Sequence, residues 1–199
     1  MSDTLIVLVK NPIAGKTKTR LAASVGHPKA LKMYRILMEY TQQQAAGLRD
    51  TERLLLYSDR VTHNDEWPDE LYTKGVQEGP GLGERMENAF ARAFAEGAER
   101  AVIIGSDCPG VTTELLQTAL GALRDKDLVI GPALDGGYYL LGMRKSQPTL
   151  FRDMNWSTED VAAETLARAR KLGLSIAELV PLSDVDYLED WEHYGWKVP

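Results

Sequence analysis

Thr4-Leu-Ile-Val-Leu-Val9 runs directly into Lys10-Asn-Pro-Ile-Ala-Gly-Lys-Thr-Lys-Thr-Arg20. Five consecutive aliphatic residues, with no polar residue alternating between them, suit a strand buried on both faces. Such strands belong to parallel sheets covered by helices. The segment after the strand reverses character within one residue. Pro12 and Gly15 mark a loop, and four cations (Lys10, Lys16, Lys18 and Arg20) fall within eleven residues. A basic loop at the end of a buried strand is where an open α/β sheet binds its ligand.

The same pattern recurs along the chain. Strand-like runs are read at 53–58, 101–105 (AVIIG), 127–131 (DLVIG), 137–143 (GYYLLGM) and 174–180, with a weaker one at 71–77. Between them the apolar spacing turns helical. Ala30, Tyr34, Leu37 and Thr41 share one face of a helix from about Pro28 to Gln44, with Met33 and Met38 beside them. Leu82, Met86, Ala89, Phe90, Ala93 and Phe94 define another helix, closed by Gly97. A third covers 112–124. Ser157 with Asp160 three residues on reads as a capping signal, opening a helix that buries Val161, Thr165, Leu166 and Ala169. A last helix starts near Tyr187. Alternating strands and helices predict an α/β fold with a mainly parallel, Rossmann-like sheet and helices on both faces. At 199 residues the expectation is one domain spanning 1–199.

Composition narrows the function. The formal net charge is −6, so no bulk attraction draws the chain to nucleic acid or to an anionic membrane. An anionic ligand must be held by local cations, which makes the Lys10–Arg20 cluster informative. No run approaches the ~20 apolar residues of a membrane helix. The N-terminal run lacks the basic flank of a signal peptide, and the single cysteine, Cys108, fits a reducing compartment. The expected location is the cytoplasm. His27, His63 and His193 share no motif spacing, so neither a zinc site nor a Ser-His-Asp set is predicted.

Further chemistry-bearing segments follow the strand runs. Gly105-Ser106-Asp107-Cys108-Pro109 puts a carboxylate at a strand end, a position suited to Mg²⁺, which takes one or two carboxylates, waters and substrate phosphates. The competing role for Asp107 is capping the next helix, which Thr112 or Thr113 can do instead. Cys108 reads as a small packing residue. Asp135-Gly136-Gly137-Tyr138-Tyr139 allows close backbone approach to a ligand, or a turn between strands. Asp184-Val185-Asp186 is an acidic helix start that becomes a second arm of the Asp107 site if the two meet. Trp67, Trp191 and Trp196 read as packing residues. Trp156, at the Trp-Ser-Thr start of a helix, is placed to face a cleft.

Together these segments resemble the nucleotide-diphospho-sugar transferase superfamily. KNPIAGKTKTRL is similar to its nucleotide-binding signature K-x-P-x-x-G-x-x-K-[ST]-R-L. Within it the chain looks like the small bacterial family of glycosyltransferases associated with arsenosugar biosynthesis, formerly a domain of unknown function. The matching features occur in order: Gln77-x-Gly79-x-x-Leu82-Gly83-x-Arg85-Met86, GSDCP, DGGYYLLG, WST and DVDYLEDW. Gly81 stands where the family often has Asp, and Tyr187-Leu188 replace its Thr-Pro.

The resemblance implies a glycosyltransferase-A-type fold and a set of roles. Lys10, Pro12, Gly15, Lys18 and Arg20 would hold the nucleotide's phosphates, and Gln77, Gly79, Gly83 and Arg85 would lie around the base and ribose. Asp107 and Asp186 would bind Mg²⁺ or Mn²⁺. Asp135, Gly136, Gly137, Tyr138 and Trp156 would line the sugar or acceptor side. Asp107, Asp135, Lys18 and Arg20 would carry catalysis. The expected reaction is metal-dependent glycosyl transfer from a nucleotide-diphospho-sugar to a small-molecule acceptor. Two alternatives stay open. One is nucleotidyl transfer from a nucleoside triphosphate to a phosphorylated small acid, releasing pyrophosphate. The other is a non-catalytic nucleotide-binding protein.

Overall fold

Parallel strands must be joined by crossovers, and here helices supply most of them. The computed structural model describes residues 2–199. β1 (Asp3–Val9) passes through the basic loop into α1 (Thr19–Val25) and α2 (His27–Ala46), then β2 (Thr51–Tyr57). A polar loop leads to β3 (Thr73–Val76), followed by α3 (Leu82–Ala95), β4 (Arg100–Ile104), α4 (Thr113–Ala122) and β5 (Leu128–Pro132). β6 (Tyr138–Met143), a 3-10 turn at Pro148–Leu150, α5 (Val161–Lys171), β7 (Ile176–Glu178) and α6 (Leu188–His193) complete the chain.

The seven strands form one sheet in the order β3-β2-β1-β4-β6-β5-β7. β1 pairs in parallel with β2 on one side and β4 on the other, while β6 runs antiparallel between β4 and β5. The α/β, mainly parallel sheet predicted above is therefore present. The chain builds outward from β1 to β2 and β3, then returns to place β4 on β1's other edge. This reversal is a topological switch point, where the connections leaving the C-terminal ends of β1 and β4 diverge and leave a crevice.

The aliphatic run of β1 is buried on both faces as predicted, and its side chains alternate. Leu5, Val7 and Val9 pack into a cluster with α1, α2, α4 and Trp191 of α6. Ile6 packs with α3, α5, Leu150 and Phe151 on the opposite face. Each such aliphatic side chain contributes about 1.5–3 kcal/mol when fully buried. Among the described residues no helix is long and apolar enough to cross a membrane.

Local expectations fail at three places. The sequence pattern shows no helix before about Pro28, but residues 19–25 form α1. Seven residues are too few to show a period, and the helix is held by burial of Leu21 and Ala22 and closed by Gly26 at φ 82°. The Ser157 capping signal is not used. Ser157 sits at φ 65°, the helix begins at Val161, and Asp160 caps it without a side-chain hydrogen bond. A distant carbonyl satisfies an early amide instead, since Ala162 N donates to Gly136 O at 2.9 Å. Leu82, assigned to a buried face, is 46% exposed at the head of α3. Thr112, by contrast, caps α4 by accepting from Leu115 N.

Gly142, the penultimate residue of β6, shows how little slack the sheet has. A Cβ there would lie 2.7 Å from Val129 Cγ1 and 2.8 Å from Val102 Cγ2. Gly142→Ala is expected to lower unfolding free energy by about 1–3 kcal/mol through overpacking. Urea denaturation should show this as a lower midpoint at unchanged slope, and an unchanged midpoint would mean that the neighbours give way freely.

Candidate active site

The switch point is braced before it is functional. Tyr34, buried on α2, accepts from Lys10 N at 3.0 Å and lies 3.0 Å from Ser106 Oγ. One hydroxyl thus joins the loops after β1 and β4. Asn11, itself buried, accepts from Asp59 N at 2.9 Å and donates to Arg60 O at 2.9 Å, tying the first loop to the end of β2. Thr17 Oγ1 donates back to Asn11 O at 3.0 Å and closes the turn. Lys18 then adopts a left-handed conformation, φ 51° and ψ 50°. That costs an L-residue about 1–2 kcal/mol, and here it accompanies a side chain buried to 6% exposure.

Lys18 Nζ donates to Asp107 Oδ2 at 2.8 Å and to Asp186 Oδ1 at 3.0 Å. Arg20 donates to the other oxygen of Asp186 at 2.9 Å. Residues 89 and 168 positions from Lys18 along the chain therefore meet at one ammonium. The backbone supports the meeting. Val185 N donates to Asp107 O at 2.9 Å, and Asp190 Oδ2 accepts from Asp186 N and Tyr187 N. Burial alone would lower the Lys18 pKa, but Asp107 and then Asp186 outweigh it and hold the amine above its ordinary value. Burial likewise opposes charge on Asp186, yet Lys18 and Arg20 keep that carboxyl below the usual range.

Asp184 is the third acid of the cluster and has no such partner. Its Oδ1 is buried without a hydrogen bond. Burial, then the Asp107 carboxylate, push its pKa well above the ordinary range, with Lys18 only partly opposing them. Nothing in the local pattern of Asp184-Val185-Asp186 distinguishes its two acids. Only the packing of this segment against the β4 loop does.

Beside these charges opens a cleft of about 570 Å³. Of the residues nominated from sequence, Lys10, Lys18, Arg20 and Gln77 line it on the side of β1–β3, and Asp107 lines its centre. Asp135, Gly137, Tyr138 and Trp156 line the far side. Asp186 reaches it through its bonds to Lys18 and Arg20. Gln77 is locked, with Nε2 donating to Val9 O at 3.1 Å and Leu56 O at 2.9 Å.

Besides Asp186, six nominated residues do not line the cleft: Pro12, Gly15, Gly79, Gly83, Arg85 and Gly136. Gly15 (φ 79°) makes the loop turn after Pro12. Gly79 (φ 128°) packs on Glu84, and Arg85 donates to its carbonyl at 3.0 Å, holding the Gln77 loop closed. Gly83 gives way to Trp156, whose Nε1 would lie 2.3 Å from a Cβ there. Gly136 (φ 90°) lies against the Glu159 backbone, where a Cβ would be 2.0 Å from the Glu159 carbonyl oxygen. The Asp135-Gly136-Gly137 segment makes the turn between strands, closed by Gly137 N donating to Asp135 Oδ1 at 2.9 Å, and Asp135 and Gly137 also line the cleft.

Residues that sequence reasoning missed complete the far wall. Leu82 and Met86 of α3 join Tyr138 and Trp156 in an apolar surface, and Ser157, Thr158 and Glu159 form its rim. The signal for Leu82 was its position at a helix start directly after a glycine-rich loop. Trp156 stacks over Phe151 at 11° and meets Tyr138 edge-on. None of the three histidines lines the cleft. Burial pushes the Cys108 thiol far up, which suits its packing role.

The convergence of Asp107 and Asp186 provides a test for a metal. Two carboxylates directed at one cation form the hard-oxygen set that Mg²⁺ or Mn²⁺ completes with phosphates and water. Among the described residues no group of three His, Cys, Asp or Glu side chains is arranged to hold an ion. The donor set therefore fits an ion shared with a ligand, and does not fit an all-protein cage.

The sequence matches the family described as "Uncharacterized protein conserved in bacteria (DUF2064)" over residues 41–158. No curated protein matches it. Among solved structures, a candidate nucleotide-diphospho-sugar transferase from Desulfovibrio desulfuricans G20 is 36% identical, with a TM-score of 0.87 over 94% of this chain and 84% of that one. CMP:2-keto-3-deoxy-manno-octonic acid synthetase complexed with CTP shares the fold at 11% identity, with a TM-score of 0.57 over 98% and 97% of the two chains. Rv0371C of Mycobacterium tuberculosis H37Rv, complexed with manganese, does so at 16% and 0.56 over 97% of each.

The raised pKa of Asp184 has a stability consequence. A carboxyl whose folded pKa exceeds its unfolded value of about 3.9 disfavours the folded state increasingly as pH rises from there towards neutrality, after which the penalty levels off. Asp184→Asn is therefore expected to melt above wild type at pH 8 by roughly 3–6 °C, corresponding to about 1–2 kcal/mol. The gain should vanish near pH 4. Equal melting temperatures at pH 8 would show that Lys18 already neutralises Asp184.

Proposed function

Because the chain belongs to the bacterial DUF2064 family, within the nucleotide-diphospho-sugar transferase superfamily, we propose that it is a metal-dependent glycosyltransferase that uses a nucleotide-diphospho-sugar donor. The observation that carries this reading is the meeting of Lys18, Arg20, Asp107 and Asp186 at the C-terminal ends of β1 and β4. An acidic protein has concentrated its loop cations at the switch point of its sheet, beside a cleft large enough for a small molecule.

The cleft's two sides suggest how the donor lies. Gln77 at the end of β3 takes the nucleoside, and Lys10 at the end of β1 adds to the charge that holds the phosphates. Because the Gln77 amide donates to two backbone carbonyls, its oxygen is left to accept from the ligand. Lys18 and Arg20 hold the diphosphate, Lys18 as a buried point charge and Arg20 as a planar fork. The sugar extends towards Tyr138 and Trp156, whose rings offer an apolar face. Asp107 and Asp186 would hold Mg²⁺ or Mn²⁺, which when bound supplies Lewis-acid stabilisation of the phosphate oxygens.

In the transfer, the bond from the sugar's anomeric carbon to the phosphate oxygen breaks and a bond to the acceptor oxygen forms. The nucleoside diphosphate leaves with the electron pair. Preorganised positive charge from Lys18 and Arg20 stabilises the negative charge growing on it. Asp135 stands on the acceptor side with one oxygen fixed by Gly137 N, and takes the proton of the acceptor hydroxyl.

Nucleotidyl transfer would use the same cations for attack on an α-phosphorus, and product analysis separates the two. Incubation with UDP- and GDP-sugars is expected to release free nucleoside diphosphate. Incubation with nucleoside triphosphates and phosphorylated acids is expected to release no pyrophosphate, and pyrophosphate there would replace the glycosyltransferase reading. Asp107→Asn is expected to lower turnover by about 10²-fold or more, with an unchanged far-ultraviolet circular dichroism spectrum. Wild-type turnover in that variant would remove Asp107 from the mechanism.

A further inference from the structure

The point on which Asp107 and Asp186 converge is already filled by this chain. Lys18 Nζ lies 2.8 Å from one carboxylate and 3.0 Å from the other, inside hydrogen-bonding range of both. Its side chain is 6% exposed, so the ammonium is a built part of the interior. Arg20 differs. Of the two carboxylates it reaches only Asp186, at the oxygen that Lys18 does not hold, and it is 65% exposed. The backbone holds Lys18 in place, because its left-handed conformation follows a turn closed by Thr17 on Asn11.

A divalent ion bridging these two carboxylates and the ammonium cannot share that position. Two cations in direct contact repel strongly at a protein's effective dielectric. Among the described residues the carboxylates also have no third protein ligand to help an ion displace the lysine. What can displace it is a ligand that offers Lys18 a new anionic partner while adding oxygens to the metal. A diphosphate does both.

We propose that Lys18 is an exchange residue: its ammonium occupies the metal position between Asp107 and Asp186 in the nucleotide-free protein, and moves onto phosphate when a metal-chelated diphosphate enters. This rests on the glycosyltransferase reading and adds to it the form of the substrate. The site excludes free metal and admits the metal–diphosphate chelate as a unit. A monophosphate, which chelates weakly and cannot serve both the ion and Lys18, is a poor ligand. Asp184 fits the same scheme. Its buried Oδ1, beside this pair, has no hydrogen-bond partner and is a polar group that an entering ligand can satisfy.

The test is Mn²⁺ binding, read as the excess Mn²⁺ on the protein side in equilibrium dialysis, which free Mn²⁺–nucleotide crosses, on wild type, Lys18→Met and Arg20→Met, each first confirmed as folded by circular dichroism. Wild type should bind Mn²⁺ alone weakly and about tenfold or more tightly with UDP or GDP, and UMP or GMP should give no such gain. Lys18→Met should bind Mn²⁺ alone about tenfold more tightly than wild type, with less enhancement by nucleotide. Arg20→Met removes the same charge without emptying the position and should change Mn²⁺ affinity little. Tight Mn²⁺ binding by wild type without nucleotide overturns the exchange and leaves the metal reading standing. Equal tightening in both variants also overturns it, because charge alone would then be the cause. The wild-type comparison decides the matter should Lys18→Met fail to fold. No Mn²⁺ binding by any protein, with or without nucleotide, sinks the metal-dependent reading itself.

Discussion

A lysine can remain charged in a protein interior only where carboxylates offset the loss of water. Lys18 meets that condition through Asp107 and Asp186, and much of the molecule serves to hold the three together. The β4 loop is fastened to the β1 loop through Tyr34 and Ser106. The C-terminal segment is fastened to the β4 loop through Val185 and Asp107. α6 then caps itself with Asp190, which orients the backbone of Asp186. If any of these fastenings loosened, an uncompensated buried charge would remain, so the site and the packing around it stand or fall together.

The cleft sets chemically opposed walls against each other. One carries Lys18, Arg20, Asp107 and Asp184, and the other is built from Leu82, Met86, Tyr138 and Trp156. The two sheet faces explain the division. α1 and α6 approach the strand ends from one side with the charged segments at their N-terminal ends, while α3 and the chain preceding α5 approach from the other. Glycine decides how closely they approach. Without side chains at Gly83 and Gly136, the Trp156 ring and the Glu159 backbone come within distances that a Cβ would forbid. These glycines shape the cleft without lining it.

The relation to other proteins follows the same division. A nucleotide-diphospho-sugar transferase candidate at 36% identity superposes over nearly the whole chain, whereas CMP:2-keto-3-deoxy-manno-octonic acid synthetase at 11% identity shares the fold. A sheet with a switch point offers a crevice whatever the chemistry. The residues placed in the crevice determine what happens there.

Aliphatic runs and helical periods in this sequence determined the strands, most of the helices and the mainly parallel sheet, because burial on both faces leaves a local pattern that needs no partner to be read. The basic loop after β1 and the strand-end Asp107 were legible for the same reason, since both directly follow such runs. α1 was not, because seven residues stabilised by Leu21 and Ala22 carry too little periodicity. Ser157 misled because a cap is chosen by geometry, and the Gly136 carbonyl had taken up an early amide of α5. The occupant of the point between Asp107 and Asp186, the isolation of Asp184 and the apolar wall were decided only by the tertiary structure. Each is a relation between groups far apart in the chain, and electrostatic and packing energies depend on separation in space, which residue order does not record.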